Sequence, residues 1–220
     1  KTVHDIRGYR QVNAKERRKL LKDFGLNIHR PQRPGSAWAR VTALGSYREV
    51  GRACHFVTTN ESRVMIDVGV NIASDTDPMP YFTAPEALPL EKLDAVVLTH
   101  AHLDHAGMLP VLFKYGYRGP VYCTPPTRDL MLLLQTDYLK VGGSEGKRAP
   151  YDMEDIRTCM KHVVDVDWGD TTDIAPDIKL PFSNAGHILG SSAVHLHIGD
   201  GKHNIVFSGD QKYEKSWLFD

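Results

Sequence analysis

The segment that most restricts what this chain can fold into is LTHAHLDHAG at 98–107, which places His100, His102, Asp104 and His105 within six positions. Before it, Leu93 to Leu98 form a short, apolar, branched run that reads as a buried strand. His100 and His102 are two apart in chain that is still extended, so their imidazoles leave on the same side. Asp104 and His105 fall at the start of AGMLPVLFKYG, which reads as a helix, so the backbone reverses there. Scattered surface histidines with a helix cap at Asp104 would be the plain explanation. It requires packing alone to keep three histidines and a carboxylate so close, whereas imidazole and carboxylate are the groups that divalent zinc takes. One ion uses three or four such groups. Four of them arriving from two backbone directions imply two metals.

The rest of the chain supplies a frame for that segment. In the first 40 residues, eleven Lys and Arg stand against three Asp and Glu; the remaining 180 carry sixteen against twenty-four. A basic front suits a polyanion and an acidic body suits bound cations, although a solvated helix face would also account for the front. Within the front, NAKERRKLLKDFG predicts a helix with Asn13 as cap, Glu16 three residues on, Gly25 as the stop, and Leu20, Leu21 and Phe24 as a docking stripe. HRPQRPGS then reads as a linker that leaves Arg30 and Arg33 exposed as candidate RNA contacts. The main boundary is expected near Gly35, between a connector at 1–36 and a domain at 37–220.

From Trp38 the texture is that of strands. WARVTAL, ACHFVTT and SRVMIDVG begin an antiparallel sheet, with TTNES as a hairpin turn. Asp67 ends the third strand in IDVG. NIASDTDPMPYFTAPEALPL is long and irregular, a candidate active-site rim. GPVYCT is a strand, and TPPTRDLMLLLQTDYLKVGG a helix with Thr124 as cap. YDMEDIRTCMKHV is a helix capped by Asp152, and Val164, Val166 and Trp168 alternate as a strand. IKLPF, SSAVHLHIG and HNIVFSGD are strands, the last two joined through Asp200-Gly201 in a type I′ turn. His195 and His197 repeat the H-x-H spacing in mid-strand and read as sheet-face residues. His187, in a glycine-flanked loop, and Asp210, at a strand end, could complete the cluster.

Other features narrow the class. The longest apolar run, LMLLL at 130–134, is too short to span a bilayer. KTVHDIRGYR lacks the apolar core of a signal peptide, so the expected location is cytoplasmic. Cys54, Cys123 and Cys159 are widely spaced without a CxxC pair and read as reduced core thiols. VGGSEGK fails as a phosphate loop, with Val141 at its first glycine position and Arg148 at its hydroxyl position.

H-x-H-x-D-H after a strand, then His187, then Asp210 after another strand, resembles the pattern of the metallo-β-lactamase superfamily. GSYREVGRACHF, IDVGVNIA, the cluster itself, NAGHILGSS and FSGDQKYEK resemble its β-CASP branch, and within it the archaeal homologues of the cleavage and polyadenylation specificity factor nuclease. The resemblance runs from about Trp38 to the end. It implies an α/β fold, the N-terminal portion of an αββα sandwich, with the β-CASP insert and the closing segment absent because the chain stops ten residues past Asp210. The basic helix resembles that family's connector from preceding KH modules.

Carried over by residue, the resemblance implies that His100, His102 and His187 hold one zinc, Asp104 and His105 hold the second, and Asp210 bridges them. Asp104 accepts the nucleophile's proton, and Asp67 completes the catalytic pair by supporting the site from its edge. The implied activity is hydrolysis of RNA phosphodiester bonds, endonucleolytic or 5′-to-3′ exonucleolytic, in 3′-end processing, termination or decay. The implied partners are RNA and a second copy of the chain, with no membrane. The competing readings are a thioester or lactam hydrolase on the same metal pair, a non-catalytic RNA-binding subunit, and a redox di-iron centre.

Overall fold

The computed structural model describes residues 13–33, 35–74, 76–144 and 149–214. The opening KTVHDIRGYR, most of the SEGKR stretch of the failed phosphate loop and the last six residues lie outside them. Two sheets face each other. Strands β1 (Ala39–Gly45), β2 (Cys54–Thr59), β3 (Arg63–Ile66), β4 (Ala95–Val97), β5 (Val121–Cys123) and β6 (Val163–Asp165) lie side by side in chain order. The first three are antiparallel and the last three join in parallel. Strands β7 (Thr171–Ala175), β8 (Ile178–Asn184), β9 (Ser192–Ile198) and β10 (His203–Phe207) make an antiparallel second sheet in the order β10-β9-β8-β7.

Burial explains the sequence texture. Phe56, Met65, Val96, Val121 and Cys123 point into one core, shared with the helices, while Val57, Ile66, Val97 and Tyr122 point into the other, between the sheets. Central strands covered on both faces read as continuous apolar runs. In the second sheet Ile178, Leu180 and Phe182 of β8 and Val194, Leu196 and Ile198 of β9 face inward, joined by Ile174 and Ala175 of β7 and, at the β10 edge, by Ile205 and Phe207. The alternation in KLPFSN and AVHLHI follows, and His195 and His197 are half-buried residues on the outer face, as expected. The turn at Asp200 and Gly201 has both residues at positive φ, closed by the Lys202 N–H on the Gly199 carbonyl, as the I′ reading requires.

The outer helices are α2 (Leu103–Ala106), α3 (Leu109–Lys114), α4 (Pro125–Ser144) and α5 (Met153–His162). Asp152 caps α5 in a reciprocal capping box with Asp155. The described residues thus form three layers of the sandwich, helices, six-stranded sheet and four-stranded sheet. Three expectations change. The helix after the cluster is two pieces, because the Met108 N–H turns out of helical register to the Val68 carbonyl. The stretch at 171–175, absent from the expected elements, is strand β7. Gly25 is not a stop: α1 (Ala14–Ile28) runs through it, capped by Asn13 as expected.

Docking explains that last difference. A mid-helix glycine costs about 1 kcal/mol relative to alanine, and α1 regains it by lying across the lower ends of the strands. Phe24 is buried against the His162 ring, and Arg17 donates to the carbonyls of Lys161 and Val163. Arg30, expected to be exposed, instead donates to Asp94 at 2.6 Å and to the Glu61 carbonyl. The Asp94 carboxylate is largely buried just ahead of β4, so Arg30 is held by an acid that itself needs a partner. Arg33 stays exposed, its backbone N–H on Glu61. This end of the sheet is opposite the histidine cluster, up to roughly 20 Å away along six extended residues.

Candidate metal centre

The cluster lies where β4 ends, and the chain around it is tightly clamped. The carbonyls of Asp104 and His105, orphaned at the end of a one-turn helix, accept the N–H groups of Ala53 and Val68, and that of Leu103, already bonded to the Gly107 N–H, also accepts Val70. Gly69 sits so close to this turn that a Cβ there would lie 1.6 Å from the Asp104 carbonyl oxygen, which accounts for the glycine in IDVG. With the turn fixed, His100, His102, His187 and Asp210 each bring one donor atom to a common point, all within 4.8 Å of one another. His102 Nδ1 is 3.1 Å from both His100 Nε2 and His187 Nε2, and Asp210 Oδ2 is 3.5 Å from His187 Nε2.

Four donors about 2.0–2.1 Å from a tetrahedral zinc stand roughly 3.3 Å apart, so these spacings fit the ion. Three imidazole nitrogens turned toward one point are otherwise poorly matched to each other, since each neutral ring has only one N–H to offer. The other oxygen of Asp210 faces away from this group. Oδ1 is 3.4 Å from His105 Nε2, and Asp104 Oδ2 is 4.0 Å from the same nitrogen. Asp210 therefore stands between a four-donor group and a second, three-donor one.

Asp67 sets the protonation of the rings. It is 2 % exposed, at φ +60°, and accepts from the Thr99 N–H, the Thr99 hydroxyl and His105 Nδ1, each at 2.8 Å. The Thr99 oxygen is also 3.0 Å from His100 Nδ1. One carboxylate thus directs two rings: His105 places its Nδ1 proton on Asp67, and His100 places its own on the hydroxyl that Asp67 holds. Both Nε2 atoms are left facing the centre. Burial pushes His100 down to about 3, with His105 adding to the effect. Burial also opposes a charge on His105, but the Asp67 carboxylate outweighs it and raises that ring to about 9. Burial would raise Asp67 as well; His105 and the Thr99 bonds hold it below the ordinary carboxylate range instead. His102 is lowered by burial and then by His187.

His187 depends on a clasp between the sheets. The Thr124 hydroxyl, expected to cap α4, donates to the Gly190 carbonyl at 2.7 Å, and the Thr127 hydroxyl does so at 3.0 Å. Gly190 at φ +85° allows this approach, because a Cβ would meet Thr124, Pro126 and Thr127 within 2.9 Å. The structure thus brings His100, His102, His187 and Asp210 into one group, with Asp104 and His105 beside them, and leaves Arg30 and Arg33 remote. Sequence reasoning missed Thr99 and the Thr124–Thr127 pair. Thr99 was within reach of it, as a hydroxyl between a strand and its first histidine.

Residues 47–220 match the family model of the metallo-β-lactamase superfamily, and the chain belongs to that superfamily. More particularly, it is similar along its whole length to archaeal proteins named transcription termination factor FttA. It is 57% identical to that of Methanosarcina mazei over 220 residues, 51% to that of Methanocaldococcus jannaschii and 45% to that of a Lokiarchaeum. These alignments take in 100% of this chain and 34% of each relative, so the chain spans about a third of their length. Among solved structures, a metallo-β-lactamase mutant from Cronobacter sakazakii superposes with TM-score 0.52 at 18% identity, over 79% of this chain and 64% of its own. The metallo-β-lactamase fold protein YhfI of Bacillus subtilis gives 0.52 at 20% identity, over 80% and 64%. At such identities the likeness bears on the fold alone.

Proposed function

We propose that this chain carries the metal centre of a zinc-dependent ribonuclease that hydrolyses RNA phosphodiester bonds in transcription termination, 3′-end processing or decay. One observation carries the reading: Asp210 turns one oxygen to the group of His100 and His187 and the other to His105, so two adjoining donor sets share a carboxylate. His100, His102, His187 and Asp210 would hold one zinc, and Asp104, His105 and Asp210 the second. The termination factors among its relatives support an RNA substrate. The intact protein on this reading is cytoplasmic, of the β-CASP branch, with a connector at 1–36 following KH modules, a metallo-β-lactamase domain at 37–220 and a second copy as partner. On the connector, exposed Arg33 suits an RNA contact better than Arg30, which is engaged with Asp94.

Bound zinc supplies a nucleophile at neutral pH, by bringing the pKa of water to about 7, and offsets charge gathering on phosphoryl oxygens. The chain's own groups do the rest. Asp67 holds the His105 ring and, through Thr99, the His100 ring with Nδ1 protonated and Nε2 turned to the centre. It acts as a positioning residue and does not touch substrate. Asp104, with its side chain a third exposed, accepts the nucleophile's proton. The products carry a 5′-phosphate and a 3′-hydroxyl. Replacing His102 or Asp210 by Ala should abolish cleavage of uncapped, 5′-phosphorylated RNA while sparing RNA binding. Undiminished cleavage by either variant, or hydrolysis of a thioester in place of RNA by the wild type, would overturn the assignment.

A further inference from the structure

From the β1–β2 loop, Ser46–Arg52, we infer that Tyr47 and Arg48 form a single-stranded RNA subsite beside the metal centre, Tyr47 stacking a base and Arg48 holding a phosphate. The inference rests on the ribonuclease reading for its substrate and on the loop for its geometry. The loop is pinned next to the cluster from two sides. Ala53, directly after it, donates to the carbonyl of Asp104 at 2.8 Å. The Tyr47 ring stands edge-on to His55 at 5.9 Å, and His55 lies 5.1 Å from Phe207, three residues before Asp210.

Its charges are sorted. Arg52 bonds Glu49 at 2.6 Å and Asp77, and lies over the Tyr81 ring, so the loop's one acid and one of its two cations neutralise each other inside it. Arg48 is exposed and its side chain has no hydrogen bond or ion pair among the described residues. Tyr47 is 60% exposed.

The backbone is held in an unfavourable form to achieve this. Ser46 and Arg48, on either side of Tyr47, sit at φ +64° and +61°, a conformation that residues with a Cβ rarely take. Strain of this kind persists only where the surroundings impose it, and it concentrates at ligand contacts. Here the surroundings are the Arg52 anchor and the close approach of Gly45 to the Arg52 carbonyl, where a Cβ would lie 2.0 Å away. The result is an anchored loop offering one exposed aromatic ring and one cation unpaired among the described residues. Those are the two side-chain types by which proteins hold single-stranded nucleic acid without reading its sequence.

The test uses the intact, zinc-loaded protein and a fluorescent, cleavage-resistant phosphorothioate oligoribonucleotide, with binding followed by anisotropy across a salt series. Tyr47→Ala should raise Kd about fivefold or more, whereas Tyr47→Phe should stay near wild type. Arg48→Gln should flatten the slope of log K against log salt by about 0.7, and Arg48→Lys should preserve it. All four variants binding within twofold of wild type with its salt slope would overturn the subsite, as would a Tyr47→Ala loss equally large on duplex RNA. Cleavage measured in parallel separates the two readings. If wild type cleaves and the variants match it in binding, the subsite falls and the ribonuclease reading stands. If wild type does not cleave but its binding depends on Tyr47 and Arg48, the reverse holds.

Discussion

Replacing Asp67 by Asn tests whether one buried carboxylate governs two metal-facing rings. The substitution keeps shape, and Asn Oδ1 can still accept the Thr99 N–H. Its amide nitrogen, however, is a donor facing the Thr99 hydroxyl and His105 Nδ1, which are now also donors at 2.8 Å. The His105 ring can satisfy the amide only by accepting at Nδ1, which leaves its one proton on Nε2, the atom aimed at Asp210. Two charge-assisted bonds are lost at a residue 2 % exposed. Hydrogen bonds to charged groups are worth about 1.5–3 kcal/mol each, and partial replacement by amide bonds leaves a net loss of roughly 2–3 kcal/mol. For a chain of this size that lowers Tm by about 4–12 °C. Zinc affinity at the His105 site should fall about 10- to 100-fold, the usual effect of removing the partner that orients a ligand histidine. Calorimetric zinc titration at pH 7, with ¹⁵N NMR of the ring nitrogens, reads both effects. A variant that melts lower but binds zinc like wild type, with His105 still protonated at Nδ1, would refute the tautomer argument.

The metal-free protein should be most stable near pH 6.5 and weaken on both sides, as urea unfolding in chelator would register. The folded state depresses His100 to about 3, so its contribution is present above 6.5 and is lost as pH falls toward 3; His105 is raised to about 9, so its contribution is present below 6.5 and is lost as pH rises through 9. Gly190→Ala should destabilise by about 2–4 kcal/mol, from the left-handed backbone and the crowded Cβ together, and should weaken zinc binding through His187; unchanged affinity by titration would disconnect the clasp from the site. Arg30→Ala should lower stability by about 1–3 kcal/mol by leaving Asp94 short of a partner, with the salt slope of RNA binding unaltered; a flattened slope would restore Arg30 as an RNA contact.

The fold and site were legible in the sequence to unequal degrees. The strands around the cluster were readable because β3, β4 and β5 are buried on both faces and leave uninterrupted branched runs. His100 and His102 were readable because extended chain gives them a shared side. What joins these to His187 and Asp210 was less so, because no local pattern states that two sheets will meet; their loop and strand-end positions made them candidates, and the resemblance gave them their places. Gly25 misled because local propensity marks a stop where docking through Phe24 and Arg30 continues the helix. Strand β7 was missed because TTDIA is polar on one face and lies at a sheet edge, where Thr171 and Asp173 are exposed. Thr124 was assigned a capping role by its position, but its hydroxyl serves a loop 66 residues away.

The donor atoms come half from each sheet, His100 and His102 from the six-stranded one and His187 and Asp210 from the four-stranded one. A cation gripped by all four would act as a rivet through the seam, so the free energy of metal capture would also be energy resisting separation of the halves. Chelation would then do more than silence chemistry. It would loosen the joint on which the molecule's architecture turns.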